Sequence, residues 1–242
     1  MILLNNIKKV YNKNIVLDIK HLSLKNNNIY GLIGPNGAGK TTTIRIILGL
    51  LKPTCGSVFI NNFNIHLDNK IKSKIGYVPD NPNLYEDLTG REFIEFVSNL
   101  YSYKDEEDFK NKIDYFLDLF DIKLKSNTMI SEYSKGMKQK ISIISALIHN
   151  PEILILDEPF TGLDPITIKK LKVFIKDFAK NNKMVIFSTH DLDVASNICT
   201  DIIILDNGKI KFNDKLENLT ARSSLEDKFV EIIEKTGVNN DI

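Results

Sequence analysis

Apolar and polar residues alternate loosely from Ile2 to Leu24, with Ile2, Leu4, Val10, Ile15, Leu17, Ile19, Leu22 and Leu24 set around the polar Asn12-Lys13-Asn14. A period of two broken by such a turn predicts an antiparallel hairpin. A second short strand, Val58 to Ile60, is followed by Asn61-Asn62, which suits a tight hairpin turn because asparagine tolerates left-handed backbone. Ile75 to Val78 reads as another strand, closed by Pro79-Asp80-Asn81-Pro82, where two prolines predict an exposed loop. From Thr89 to Asn150 the period becomes helical. Phe93, Phe96, Val97, Leu100 and Tyr101 form one stripe, Phe109, Ile113, Phe116, Leu117 and Phe120 a second, and Met137, Ile141, Ile144 and Ile148 a third. Three amphipathic helices without strands between them predict an inserted helical subdomain, and their aromatic stripes read as packing. The acidic run Asp105 to Asp108 reads as a solvated helix start.

The second half alternates. Ile153 to Leu156 is wholly apolar, as a central parallel strand should be; a helix near Ile166 to Lys180 leads to a strand Met184 to Phe187, and a helix near Leu192 to Cys199 leads to Ile202 to Leu205. Strand and helix in turn predict a mostly parallel sheet with ligands at the carboxyl ends of its strands.

The chemistry gathers at those ends. Tyr30 to Ile47, YGLIGPNGAGKTTTIRII, is a strand, a glycine-rich turn and a helix, and Gly34 to Thr41 matches G-x-x-x-x-G-K-S/T. Gly34, Gly37 and Gly39 let a loop curl with its amides inward, and the helix that begins near Gly39 adds unpaired N–H groups and the positive end of its dipole. Lys40 then reaches β and γ phosphates and Thr41 offers a hydroxyl to Mg²⁺. The helix is expected to run until Lys52-Pro53-Thr54 stops it. Asp157 and Glu158 stand at the end of a buried strand, a costly place for carboxylates unless they serve a cation or a reaction. Beside a phosphate loop, the first is expected to hold Mg²⁺ and the second to deprotonate the attacking water. His190 follows the next strand, where an imidazole can donate to a γ-phosphate, whereas His21, His66 and His149 read as ordinary residues. Ser134 is a good helix cap and Gly136 allows close approach; the pair reads either as amides presented to an anion or as a capped helix alone. Tyr11, at the lip of the first hairpin, reads equally as a base-stacking ring or as filling for a small core.

Composition excludes more than it adds. At 242 residues and 43% hydrophobic, the chain suffices for one α/β domain or one domain with a subdomain. Its net charge of +1 predicts no global attraction to DNA or anionic lipid. Cys55 and Cys199 lack the spacing of a zinc site, and a reducing cytosol is the expected compartment. No charged-then-apolar leader opens the chain, and no apolar run approaches the ~20 residues that span a bilayer.

Taken in order, these segments resemble the nucleotide-binding subunit of an ATP-binding cassette (ABC) transporter, from about Lys9 onward. GPNGAGKTT (Gly34, Pro35, Asn36, Gly37, Ala38, Gly39, Lys40, Thr41 and Thr42) is similar to the Walker A loop and Ile153 to Glu158 to Walker B. YSKGM (Tyr133 to Met137) sits where the signature segment belongs, Thr161 to Asp164 resembles the D-loop, and STHD carries the switch histidine. The resemblance implies a P-loop NTPase fold: a mostly parallel core sheet, an N-terminal antiparallel β subdomain and an inserted helical subdomain. It divides the single domain into 1–80, 81–142 and 143–242. It makes Glu158, His190 and Lys40 catalytic, gives Tyr11 the adenine ring, and assigns Thr41, Asp157 and Asp80 to Mg²⁺.

It further implies that two subunits sandwich two ATP molecules head to tail, each Walker A loop facing Ser134 to Gly136 of the other, and it counts Ser134, Gly136, Asp164 and His190 with the Walker A residues as nucleotide-binding. Their partner is an integral-membrane permease, so the chain is expected on the cytoplasmic face of the membrane, with no nucleic acid involved. Two departures stand out. Asp80 occupies a position usually held by glutamine, and YSKGM keeps only the serine and second glycine of the usual LSGGQ. Such a signature resembles ATPase subunits of bacterial ABC-2 exporters, and Leu225 to Phe229 resembles their C-terminal helix.

The rival readings are a soluble ABC ATPase of DNA or ribosomes and a GTP switch. The first requires a long coiled coil between the Walker motifs or a second cassette. The second requires a guanine-reading N-K-x-D, and Asn182-Lys183-Met184-Val185 lacks the aspartate.

Overall fold

The structure, a computed structural model, describes residues 1–101, 106–221 and 223–237. β1 (Ile2–Tyr11) and β2 (Asn14–Leu24) form the expected hairpin, with Asn12 and Lys13 at φ 46° and 69° in its turn. β4 (Cys55–Ile60) pairs antiparallel with β1 and turns through Asn61 and Asn62 into the short β5 (Phe63–Asn64). These four strands make a sheet in the order β2-β1-β4-β5.

The core sheet has six strands. β3 (Ile29–Ile33), β6 (Ile75–Val78), β7 (Ile153–Asp157), β8 (Met184–Thr189) and β9 (Asp201–Asp206) run parallel, and β10 (Lys209–Lys215) returns antiparallel on β9. The order is β10-β9-β3-β8-β7-β6, so β8 lies between the strand that leads into the phosphate loop and the strand that ends in Asp157.

The apolar strands are buried on both faces, and their period of two feeds two cores. Ile153 and Ile155 of β7 and Met184 and Ile186 of β8 pack with Ile2, Leu4, Ile7 and Val58 of the antiparallel sheet and with α1 (Lys40–Ile47). Leu154, Leu156, Val185 and Phe187 face the other way. They meet α2 (Gly90–Asn99), α3 (Glu106–Leu119), α4 (Lys135–Leu147) and α5 (Pro165–Ala179). α6 (Leu192–Ile198), α7 (Leu216–Thr220) and α8 (Leu225–Gly237) join the same side, with Phe229, Ile232 and Ile233 of α8 half-buried against it. α2 opens with a reciprocal capping box between Thr89 and Glu92.

Three expectations need correcting. α1 stops at Ile47 rather than at the proline, because Gly49 takes φ 67° and turns the chain first. The first aromatic stripe is only partly packing: Phe93 is buried, but Phe96 and Leu100 stay exposed. β10, which the pattern did not predict, is an edge strand of mostly exposed polar residues, where no burial imposes alternation. Asp105 of the acidic run lies outside the described residues, and α3 begins at Glu106.

Candidate functional site

Three parallel strands deliver the chemistry to one end of the sheet. Ile33, the last residue of β3, pairs with Thr189, while Ser188 of β8 stands opposite Asp157 of β7. Between β3 and α1 the chain curls through Gly37 and Gly39 at φ 80° and 105°. Gly34 lies so close to β9 that a Cβ there would stand 2.1 Å from the Leu205 carbonyl oxygen. The Thr43 hydroxyl donates to the Gly39 carbonyl at 2.9 Å, which closes the first turn of α1.

Lys40 is 8% exposed, and its ammonium donates back into the loop, to the carbonyls of Gly34 at 2.7 Å and Pro35 at 3.2 Å. Burial holds its pKa below the ordinary lysine range, with the charges of Glu158 and then Asp157 acting in the opposite sense. A cavity of about 320 Å³ opens over the loop, lined by Asn36 to Thr42 and by Asp80, Asp157 and Glu158. One space thus gathers the phosphate-loop residues, both strand-end carboxylates and the aspartate after β6.

Asp157, 2% exposed, accepts the Ser188 hydroxyl at 2.5 Å, and the same oxygen of Ser188 accepts the backbone N–H of Glu158 at 3.0 Å. That second bond holds Glu158 at φ 48°, a left-handed conformation sparsely populated by residues other than glycine. His190 Nδ1 lies 3.0 Å from Glu158 Oε2, with the imidazole open to solvent. Ser188 was not among the expected site residues. The signal was available, since it shares strand parity with the buried Ile186, on the phosphate-loop face of the sheet.

The other candidates do not line this cavity. Tyr11 ends β1 with 46% of its surface exposed and the Lys9 ammonium 4.8 Å above its ring. Ser134 caps α4, accepting the Met137 N–H at 3.3 Å. A Cβ on Gly136 would lie 2.5 Å from the Gly162 carbonyl oxygen, and Gln139, one turn on, donates to the Pro159 carbonyl at 3.4 Å. The start of α4 is therefore seated on the segment that follows Glu158. Asp164 caps α5: its oxygens accept the Thr167 N–H at 2.9 Å and hydroxyl at 2.7 Å, and Lys140 lies 3.2 Å away. Those Thr167 bonds, with Lys140, hold its carboxyl well below the usual carboxylate range.

The ABC transporter family model matches residues 17–161. This chain belongs to that family. The chain is 37% identical over 218 residues to the ABC-type transporter ATP-binding protein EcsA of Bacillus subtilis, across 90% of its own length and 88% of the relative's. A solved structure described as the ATP-binding subunit of an ABC transporter superposes with a TM-score of 0.90 at 30% identity, covering 96% of this chain and 99% of that one. A dimeric structure of the ATP-binding cassette MJ0796 in a post-hydrolysis state, bound to ADP and Pi, gives a TM-score of 0.80 at 30% identity over 89% of this chain and 99% of that one. The ABC chain is thus a nucleotide-binding subunit of the P-loop α/β type. The longest helix between its Walker motifs, among the described residues, is α3 at 14 residues, far from a coiled-coil arm. Among the described residues, no helix is long and apolar enough to cross a membrane.

Proposed function

We propose that this chain hydrolyses ATP as one half of a twofold pair and so drives a separate integral-membrane permease. The observation that carries the reading is the meeting of Lys40, Asp157 and Glu158 around a single cavity at the carboxyl ends of β3 and β7. The curled loop and the N-terminus of α1 direct backbone N–H groups at a triphosphate, and Lys40 exchanges its two carbonyl acceptors for phosphate oxygens. Tyr11 stacks on the adenine.

Mg²⁺ fits the donor set. Asp157, Asp80 and the Thr41 segment offer hard oxygens around one space, and a cation that keeps several waters needs no denser cluster. When bound, the ion neutralises charge that builds on the phosphate oxygens. Glu158 accepts the proton of the attacking water, and His190, already against its carboxylate, orients it and remains open to a γ-phosphate.

Ser134, Gly136 and Asp164 lie outside the cavity, so a second subunit brings its own copies of these nucleotide-binding residues to this one. The loop after Tyr77 and the helical segment 81–142 relay closure to the permease, with 1–80 and 143–242 forming the remainder of the domain. The subunit works at the cytoplasmic face of the membrane, and the YSKGM signature favours export.

The test is Glu158→Gln. ATP binding is retained, turnover falls by ~10²-fold or more, and an ATP-bound dimer accumulates on size-exclusion chromatography. Wild-type turnover in that variant rejects the assignment.

A further inference from the structure

A second cavity, of about 550 Å³ against about 320 Å³ over the phosphate loop, opens between α3, the end of α4 and α5. Its walls are apolar: Phe116, Leu119, Leu147, Val173, Phe174 and Phe178. The rings pack edge-on, Phe116 against Phe174 at 6.0 Å between centroids, and Val173 is left 55% exposed at the mouth. Side chains that could have closed over this hollow do not, and its size lies in the range of small-molecule sites.

The rim is basic. Among the described residues that line it, Lys112, Lys169, Lys170 and Lys183 stand against the carboxylate of Asp177. Asp177 already pairs with Lys180 at 2.8 Å, and Lys170 pairs with Asp121. Lys183 differs from Lys170. Its ammonium lies 4.5 Å over the Phe178 ring and donates to the neutral side-chain amide oxygen Oδ1 of Asn150 at 2.5 Å. Among the described residues no carboxylate lies within ion-pair distance of it. Lys112 donates to the Ile148 carbonyl at 2.7 Å from the same rim. Burial, and then the charge of Lys112, hold the Lys183 pKa below the ordinary lysine range, with Glu152 acting in the opposite sense, so two cations stand close together at the edge of an apolar space.

Each feature selects a different part of the occupant. A purely apolar molecule leaves the Lys183 charge half-buried with only Glu152, beyond ion-pair distance, opposing it, and a small inorganic anion leaves the phenylalanine walls wet. A concave site of this size holds one molecule taken from solution rather than a flat bilayer surface. We propose that this cavity binds a single-chain amphiphilic anion, its apolar chain against Phe116, Phe174 and Phe178 and its carboxylate on Lys183 beside Lys112. The site is separate from the nucleotide cavity, with which it shares no lining residue.

The probe is dodecanoate, kept below its micelle-forming concentration and titrated into the nucleotide-free full chain by isothermal calorimetry. Saturable binding at a single site per chain is expected, with dodecanol and dodecyltrimethylammonium at least about fivefold weaker. Lys183→Glu replaces attraction with repulsion and weakens dodecanoate by about tenfold, whereas Val173→Trp fills the mouth and abolishes binding. Uptake that does not saturate, equal affinity for the three head groups, or dodecanoate affinity unchanged in Lys183→Glu overturns the proposal. So does binding of an acidic amphipathic peptide where dodecanoate shows none. ATP binding is read on the same samples; its retention in both variants shows that they fold, and a failure of either site leaves the result at the other intact.

Discussion

Removing the Ser188 hydroxyl tests how the carboxyl end of the sheet, with Asp157 and Glu158, is held. Ser188 is fully buried, donates to the Asp157 carboxylate and accepts the Glu158 N–H, so one oxygen serves two neighbours on the adjacent strand. Ser188→Ala deletes a hydrogen bond to a charged group, typically about 1.5–3 kcal/mol, and leaves the Glu158 N–H without its acceptor, a further ~1 kcal/mol or more. The replacement is smaller by one atom, so cavity terms are minor, and the expected loss is about 2.5–4 kcal/mol. Urea unfolding reads this as a lower midpoint at an unchanged slope. Catalysis should suffer separately, because Glu158 at φ 48° loses the bond that stabilises its unusual backbone. Under saturating Mg-ATP, kcat is expected to fall by about ten- to a hundredfold while ATP affinity changes little, since Lys40 and the loop are untouched. Ser188→Thr keeps the hydroxyl, adds one buried methyl, and recovers most of kcat. A Ser188→Ala protein within about 0.5 kcal/mol of wild type and with full kcat refutes the reasoning.

Three further outcomes follow from the same geometry. Gly34→Ala sets a Cβ against the Leu205 carbonyl, so the loop must shift and ATP binding, measured with a fluorescent analogue, is expected to be lost while the fold remains. Asp164 has a folded-state pKa depressed by its Thr167 bonds and Lys140; its stabilising contribution is present above the unfolded carboxylate value and fades as pH falls from about 4. Asp164→Ala should therefore lose about 1 kcal/mol of stability at pH 7 and progressively less as pH falls from about 4 to 2, and thermal melts across that range check it. Cys199 is buried, with its thiol pushed up by desolvation, whereas Cys55 is exposed; a thiol reagent should label Cys55 alone in the native chain and both after unfolding.

Much of this site was legible in the sequence because its determinants are local. The glycine loop, Lys40 and the strand-end Asp157-Glu158 each need only a few consecutive residues, and the apolar run before them announced a strand buried on both faces. What escaped depends on contacts between distant segments. Ser188 looked like the first residue of a loop, and only the pairing of β8 with β7 sets it against Asp157. Gln139 looked like one polar position among several on α4, yet it is buried and bonded to the Pro159 carbonyl. The stripe of α3 correctly predicted a packing face, but a stripe does not reveal whether that face closes completely against its neighbour, and the cavity above Phe174 is where α3 and α5 do not.

The contact between Gly136 and Gly162 bears on how this protein should be dissected genetically. Any side chain at Gly136 collides with main chain of its own subunit before a second subunit is considered. A defective Gly136 substitution would thus mix a folding lesion with an assembly lesion, and complementation between two differently mutated copies would misassign it. Lys135, whose side chain lies over Gly162, is the neighbouring position that can be changed without driving a side chain into main chain, and so the better place to probe the proposed pairing.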